Sequence, residues 1–206
     1  MTINLYLGDS LEAMKAMPDK CYDLAIVDPP YGLQNRTTVG GGKKNSQSKF
    51  KKHDWDNDIP PNEYFQELKR VSKNQIIWGG NYFPLSHYRC FIVWDKMTYI
   101  PTMSQVELAY TSFDFPARYI QINSNQKDRF HPTQKPVALY QWCLEKYAKP
   151  GDRILDTHLG SGSIAIACHN LGYDLDGWEL DPDYFAAAKA RLETHQQQQQ
   201  LFTGIA

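Results

Sequence analysis

The sequence predicts an α/β fold built on a doubly wound, mostly parallel sheet. Three observations predict it. Short apolar runs of strand length alternate with segments whose apolar residues recur at helical spacing. Most of those runs end in a turn signal, as buried strands do. The last quarter reads as strand, glycine turn, helix, strand and proline-opened helix.

Taken in order, Ile3–Leu7 is a short mixed strand ending at Gly8. Asp9 opens a helix, with Glu12 three residues on and Leu11, Met14 and Met17 as its apolar face. Pro18 and Asp19 stop it. Tyr22–Val27 is an apolar run bounded by Asp28-Pro29-Pro30 and reads as a buried strand. Pro61 and Asn62 precede Tyr64, Phe65, Leu68 and Val71 at helical spacing. Residues 75–78, 90–94, 106–110 and 118–122 are further strands. Pro136 opens a helix with Val137, Tyr140, Leu144 and Tyr147 on one face, ended by Lys149-Pro150-Gly151. Residues 153–155 form a strand, Gly160-Ser161-Gly162 a turn, and Ser163–Leu171 a helix of small residues ended by Gly172. Residues 173–178 form the last strand. Asp181 is an N-cap, and Pro182 begins a long helix. Five glutamines at 196–200 lead us to expect a disordered tail over 196–206.

The 206 residues suit one domain, expected over 1–195, with an insertion at about 33–58. Hydrophobic residues at 42% and charged residues at 22% argue against a disordered chain or a fibre. Lys plus Arg is 22 and Asp plus Glu is 23, so any nucleic-acid surface must be local. The insertion supplies one. Residues 33–52 carry Arg36, Lys43, Lys44, Lys49, Lys51 and Lys52 and no acid. A solvated charge run is the ordinary reading of such a block. The alternative is a mobile loop that contacts phosphates and orders on a polyanion. The four cysteines form no CxxC pair, so no metal site is expected. The first residues lack a basic region followed by an apolar run, and no stretch is long enough to span a bilayer. We expect a reduced, cytoplasmic protein with no membrane partner.

Two segments carry chemistry. Asp28-Pro29-Pro30-Tyr31 sits at the carboxyl end of a buried strand. The prolines remove two N–H donors, leaving a carboxylate and carbonyl oxygens. Such an edge receives an amino group, and Tyr31 adds a flat face for a planar base; a strand-ending turn is the plainer alternative. Asp156-Thr157-His158-Leu159-Gly160-Ser161-Gly162 follows a strand and opens a helix. Its glycines let a ligand approach the backbone. Glu179 ends the next strand, where an acid binds ribose hydroxyls. Gly160 to Ala165 also fits the dinucleotide pattern, so a nicotinamide-dependent oxidoreductase is weighed. Against it, Asp156 would face a pyrophosphate with like charge, whereas a cofactor bearing an ammonium group would welcome that carboxylate.

Together these segments resemble the amino-methyltransferases of DNA, in the permuted group whose catalytic motif precedes the cofactor motif. The resemblance covers residues 3–36 and about 60–195. It implies a Rossmann-like domain that uses S-adenosylmethionine. It assigns Asp28, Pro29, Pro30 and Tyr31 to catalysis. It assigns Asp9 and Ser10 to the cofactor's adenine side, and His131, Thr133 and Lys135 of His131-Pro132-Thr133-Gln134-Lys135-Pro136 to its methionine end. Asp28, Asp156, Thr157, Gly160, Ser161, Gly162 and Glu179 complete the implied cofactor set. Asp before the prolines resembles the adenine-N6 branch, and Ser there would resemble the cytosine-N4 branch. The chain departs from the usual Asp-Pro-Phe at Asp156-Thr157-His158. Apart from the basic insertion and the 123–129 loop, no target-recognition region is visible. Specificity is then short, relaxed or shared across a homodimer. DNA is the implied partner, and a catalytically idle DNA-binding protein of the same fold is the remaining alternative.

Overall fold

The computed structural model describes residues 1–33, 58–86, 89–99, 104–127 and 129–203, with side chains to 198. The basic residues Arg36, Lys43, Lys44, Lys49, Lys51 and Lys52 lie outside the described residues.

Eight strands and five α-helices follow one another among the described residues. They are β1 (Ile3–Leu7), α1 (Ser10–Lys15), β2 (Tyr22–Val27), α2 (Asn62–Val71), β3 (Ser72–Trp78), β4 (Phe91–Asp95) and β5 (Val106–Thr111). β6 (Arg118–Gln121), α3 (Val137–Tyr147), β7 (Arg153–Asp156), α4 (Ser163–Leu171), β8 (Asp174–Glu179) and α5 (Pro182–Thr203) follow. Asp9 caps α1, its Oδ1 accepting from the Leu11 N–H at 2.8 Å. Asp181 does the same for α5, accepting from the Asp183 and Tyr184 N–H groups.

The strands form one sheet in the order β1-β8-β7-β2-β3-β5-β4-β6. Neighbours are parallel except β5, which runs antiparallel to β3 and β4. β2 alternates between two cores. Leu24 and Ile26 face the layer holding α3, α4 and α5, while Ala25 and Val27 face the layer of α1 and α2. A strand covered on both faces reads as an unbroken apolar run, which is why Tyr22–Val27 is legible in the sequence.

The topology puts the reactive ends together. From β2 the sheet grows one way through β3, and from β7 the other way through β8. β7 and β2 are neighbours, with Leu24 opposite Ile154 and Ala25 opposite Leu155. The order therefore reverses between them, and a crevice opens at their carboxyl ends.

Two expectations change. β3 begins at Ser72, three residues earlier than the apolar run at 75–78, because the chain passes straight from α2 into the strand. Ser72 Oγ donates to the Leu68 carbonyl, closing the helix end that a loop would otherwise serve. The expected tail over 196–206 is helical as far as Thr203, and 204–206 lie outside the described residues. Glutamine is a good helix former, so a helix already running through Ala190 and Leu192 continues through the glutamines at little cost. Among the described residues no helix is long and apolar enough to cross a membrane. Cys90, Cys143 and Cys168 are buried, Cys21 is half-buried, and all four are free thiols.

Candidate active site

Asp28 leaves β2 at the crevice with its side chain 12% exposed. Both of its oxygens are engaged. Tyr31 donates its hydroxyl to Oδ1 at 2.5 Å, and the Lys135 ammonium lies 2.5 Å from Oδ2. Lys135 is itself only 3% exposed. Its Nζ stands 3.1 Å from Glu107 Oε2, and Lys96 holds Glu107 Oε1 at 2.7 Å. Lys135 also lies over the rings of Tyr31 and Trp78. Burial alone would lower this lysine, but Asp28 and Glu107 hold it above its ordinary range. Burial acts to raise Glu107, yet Lys135 and Lys96 keep it below the usual carboxylate range. Burial raises Asp28 against the opposing pull of Lys135.

Tyr31 is placed by Gly79. A Cβ added at Gly79 would lie 2.2 Å from the Tyr31 ring, and the glycine has φ +70°, so both the ring's approach and the backbone require glycine. The ring then stacks on Tyr82, centroids 5.0 Å apart and planes at 18°. The sequence leads us to expect an open stacking face on Tyr31. Tyr82 already stacks on it, because the turn Gly80–Tyr82 follows Gly79 directly.

The second half of the crevice is the turn after β7. Thr157, His158, Leu159, Gly160 and Ser161 line a cleft of about 200 Å³. Gly8, Asp9, Ser10, Asp28, Pro30, His131, Thr133, Lys135 and Glu179 line it too. The expected residues from both motifs and from the His131–Pro136 segment therefore converge. Glu179 fastens the turn, accepting from the Gly160 N–H at 2.7 Å and the Asp181 N–H at 2.9 Å. The Leu180 N–H also bonds this carboxylate, and its remaining acceptor capacity serves the cleft it lines. His131 packs edge-on against Tyr184 and beside Gly160, and its Nδ1 meets Thr133 Oγ1 at 3.2 Å.

Four expected residues stand off the lining. Pro29 and Tyr31 flank it. Asp156 lies one layer beneath, 1% exposed, its Oδ1 accepting from the His158 N–H at 3.0 Å. Gly162 turns away, because its missing Cβ faces Ala188 of α5 at 3.1 Å, where helix packing and not a ligand needs the space. His158 stands where a phenylalanine is usual in the resembled group. Its Nδ1 lies 2.9 Å from Thr157 Oγ1, whose other partner is Tyr64 OH at 2.6 Å. Burial pushes this histidine down to about 4, so it is neutral at pH 7.

Sequence reasoning misses Glu107, Gln134, Tyr140, Leu180, Tyr184 and Arg191. Tyr140 reads only as helix core, and Gln134 and Tyr184 as spacers. Arg191 pins the turn by donating to the Ser161 carbonyl and Ser163 Oγ, both at 2.9 Å. Glu107 has one signal: it is the single charge in the apolar run Val106–Thr111.

Asp156 makes a stability prediction. Burial, with Asp28 and Glu179 nearby, pushes it up to about 8. An unfolded aspartate titrates near ~3.9, so the folded chain loses stability as pH rises from about 4 to about 8. Asp156→Asn keeps the acceptor and discards the charge. It is expected to raise Tm by roughly 2–8 °C at pH 9 and hardly at all at pH 4. A drop at pH 9, or an equal shift at both pH values, would refute the assignment.

A doubly wound sheet with a carboxylate-rich cleft at its switch point is the Rossmann-like fold of the S-adenosylmethionine-dependent methyltransferases. Within that class, residues 77–190, more than half of the chain, match the sequence model of the DNA methylase family, and the chain belongs to it. The type II methyltransferase M.HpaI of Haemophilus parainfluenzae is 25% identical over 243 residues, covering 94% of this chain and 75% of M.HpaI. The crystal structure of an M1.HpyAVI–SAM complex superposes with a TM-score of 0.60 at 23% identity, covering 93% of this chain and all of that one. The cytosine-N4-specific PvuII DNA methyltransferase superposes with a TM-score of 0.64 at 15% identity, covering 92% and 86%.

Proposed function

We propose that this protein transfers the methyl group of S-adenosylmethionine to the N6 amino group of adenine in DNA. The observation that carries the reading is a buried carboxylate beside two prolines, set at the mouth of a cleft whose other charges are mostly acidic.

The cleft fits that cofactor. Asp9 and Glu179 line it, while the lysine that lines it is already committed to Asp28 and Glu107. A ligand carrying positive charge gains there, and a pyrophosphate would be repelled, which disfavours a nicotinamide cofactor. Gln134 is 5% exposed, and its Nε2 is buried without a hydrogen-bond partner among the described residues. A buried donor of that kind at the cleft wall suits a carboxylate such as that of a methionine moiety. Asp9 and Ser10 would hold the adenine side, Glu179 the ribose, and the Gly160-Ser161 turn the chain between them. The cofactor, when bound, supplies an electrophilic methyl group on a positive sulfur.

The protein's own work is positioning. A base inside a duplex cannot reach this cleft and must be flipped out. The adenine amino lone pair is delocalised into the ring and is a weak nucleophile. Asp28 and the Pro29 carbonyl would accept its two hydrogens and fix the nitrogen on the line of attack. As positive charge develops on nitrogen, the Asp28 carboxylate stabilises it. Asp in place of Ser resembles the adenine-N6 branch, and that resemblance supports adenine N6 over cytosine N4.

The decisive experiment incubates the protein with labelled S-adenosylmethionine and mixed DNA, then identifies the modified nucleoside by mass spectrometry. N6-methyladenine is expected. N4-methylcytosine would replace the adenine reading, and no DNA product would overturn the proposal. The basic insertion is proposed as the segment that meets the phosphates. Neutralising Lys43, Lys44, Lys49, Lys51 and Lys52 together is expected to weaken DNA binding. The log–log salt slope should flatten by up to about 0.9 for each phosphate left without its lysine. An unchanged slope would assign the segment to solvent.

A further inference from the structure

The site as it stands has a problem that methyl transfer must solve. Each Asp28 oxygen already carries one strong donor, which leaves one lone pair apiece for an incoming amino group but commits much of the carboxylate's charge. Tyr31 donates to one, and Lys135 sits on the other at 2.5 Å. Lys135 is too deeply buried for water to replace Asp28 as its partner, and a buried ammonium stripped of its counter-ion is costly. A second anion within reach of the lysine would therefore return charge to Asp28 as the amino group arrives.

Glu107 is that anion. Its buried Oε2 lies 3.1 Å from the same Nζ, already pulls on the lysine, and meets no well-aligned donor among the described residues. Its other oxygen is anchored by Lys96 at 2.7 Å. The anchoring pair is on the antiparallel part of the sheet, Glu107 in β5 and Lys96 just after β4, so it does not move with the crevice loops. The groups facing Glu107 are Lys96 and Lys135, with Arg129 further off. Those facing Asp28 are Lys135 and Tyr31, with Asp156 and Tyr140 behind. Lys96, Glu107, Lys135 and Asp28 sum to zero charge whichever carboxylate holds the lysine. Moving the ammonium by a fraction of its present separation exposes no net charge.

We propose that Glu107 is a positioning residue that takes Lys135 from Asp28, freeing the Asp28 carboxylate to grip the target amino group. This rests on the methyl-transfer reading above. The lysine does not leave; it leans from one carboxylate to the other, and its two ring neighbours, Tyr31 and Trp78, give it a surface to lean on.

The test compares wild type, Glu107→Gln and Glu107→Asp in single-turnover methyl transfer, with cofactor and DNA binding measured separately. In Glu107→Gln, Asp28 is the carboxylate left to the lysine. The rate of transfer is expected to fall by roughly 10²-fold. Cofactor Kd and DNA KM should stay within about threefold, and the acid limb of the pH–rate profile should move to lower pH, because Lys135 then pins Asp28 ionised. Glu107→Asp should recover most of the rate. A merely structural role would lower Tm and binding together, leave the pH profile in place and gain nothing from the aspartate. Wild-type rates in Glu107→Gln, with an unmoved pH profile, would overturn the inference and leave the methyl-transfer reading standing. Absence of methyl transfer in the wild type would overturn that reading and the inference with it.

Discussion

Replacing Asp28 with alanine is expected to lower methyl transfer by roughly 10³-fold or more while the protein still folds and binds its cofactor. The size follows from what the carboxylate does. It supplies both an acceptor for the amino hydrogens and a charge opposite to the one that develops on nitrogen, and losing either costs about 10²–10³-fold. Retained folding follows from the network. Removing Asp28 leaves Lys135 beside Glu107 at 3.1 Å, so no buried cation is stranded. Retained cofactor binding follows from the cleft, where Asp9, Glu179 and the Gly160 turn remain. The measurements are single-turnover transfer from labelled donor, cofactor affinity by calorimetry and Tm. Turnover within tenfold of wild type would remove Asp28 from the mechanism. Lost cofactor binding would move it from the target pocket to the cofactor pocket.

Lys135→Met carries the largest expected cost in stability, about 3–5 kcal/mol, which is the usual penalty for stranding a buried partner charge. For a chain of this length that is a Tm fall of roughly 6–20 °C. The methionine fills the space over Tyr31 and Trp78, so packing is not the cause. The charge is. Glu107, held below its ordinary range by two lysines, loses one of them, and Asp28 loses the cation on its Oδ2. Stability from a depressed carboxylate is present above the unfolded value, near ~4.3 for glutamate, and is lost as pH falls through the folded value. The gap between wild type and Lys135→Met is therefore expected to be widest above neutrality and to narrow toward pH 5, where the stranded carboxylates take up protons. Thermal melts at several pH values read it directly. A gap that does not change with pH would show that Lys135 acts through packing alone. Adding Asp28→Asn to Lys135→Met should recover part of the loss.

The strands and helices are legible because their signals are local. β2 and α4 can be read to the residue from an apolar run and from glycines at either end, and α2 can be placed by its proline start and apolar spacing. The strand starts at β3 and β8 cannot, because the polar residues at 72–74 pair in the sheet without any apolar signature of their own, and β8 opens on an aspartate one residue after Tyr173. Asp28, Lys135, Gly160 and Glu179 are legible too, since each sits at a strand end or in a turn whose residue types are unusual. Glu107 is not. A single glutamate on a strand announces a charge but not its partners, and its partners lie 11 residues before it and 28 after, on different elements.

By itself, the order of residues determined the αβ alternation, the caps and turns, and which short segments hold carboxylates and glycines, because backbone preference and hydrophobic period act over a few neighbours. Only the three-dimensional arrangement decided that β7 slots in beside β2, which brings Asp156 beneath a wall shared with Asp28 although 128 positions separate them in the chain (156 minus 28). It alone decided that Tyr82 lies on Tyr31, that Gly162 serves helix packing, and that one lysine stands between two carboxylates. Electrostatic pairing and ring stacking depend on distance through space, and sheet closure, not sequence separation, sets those distances.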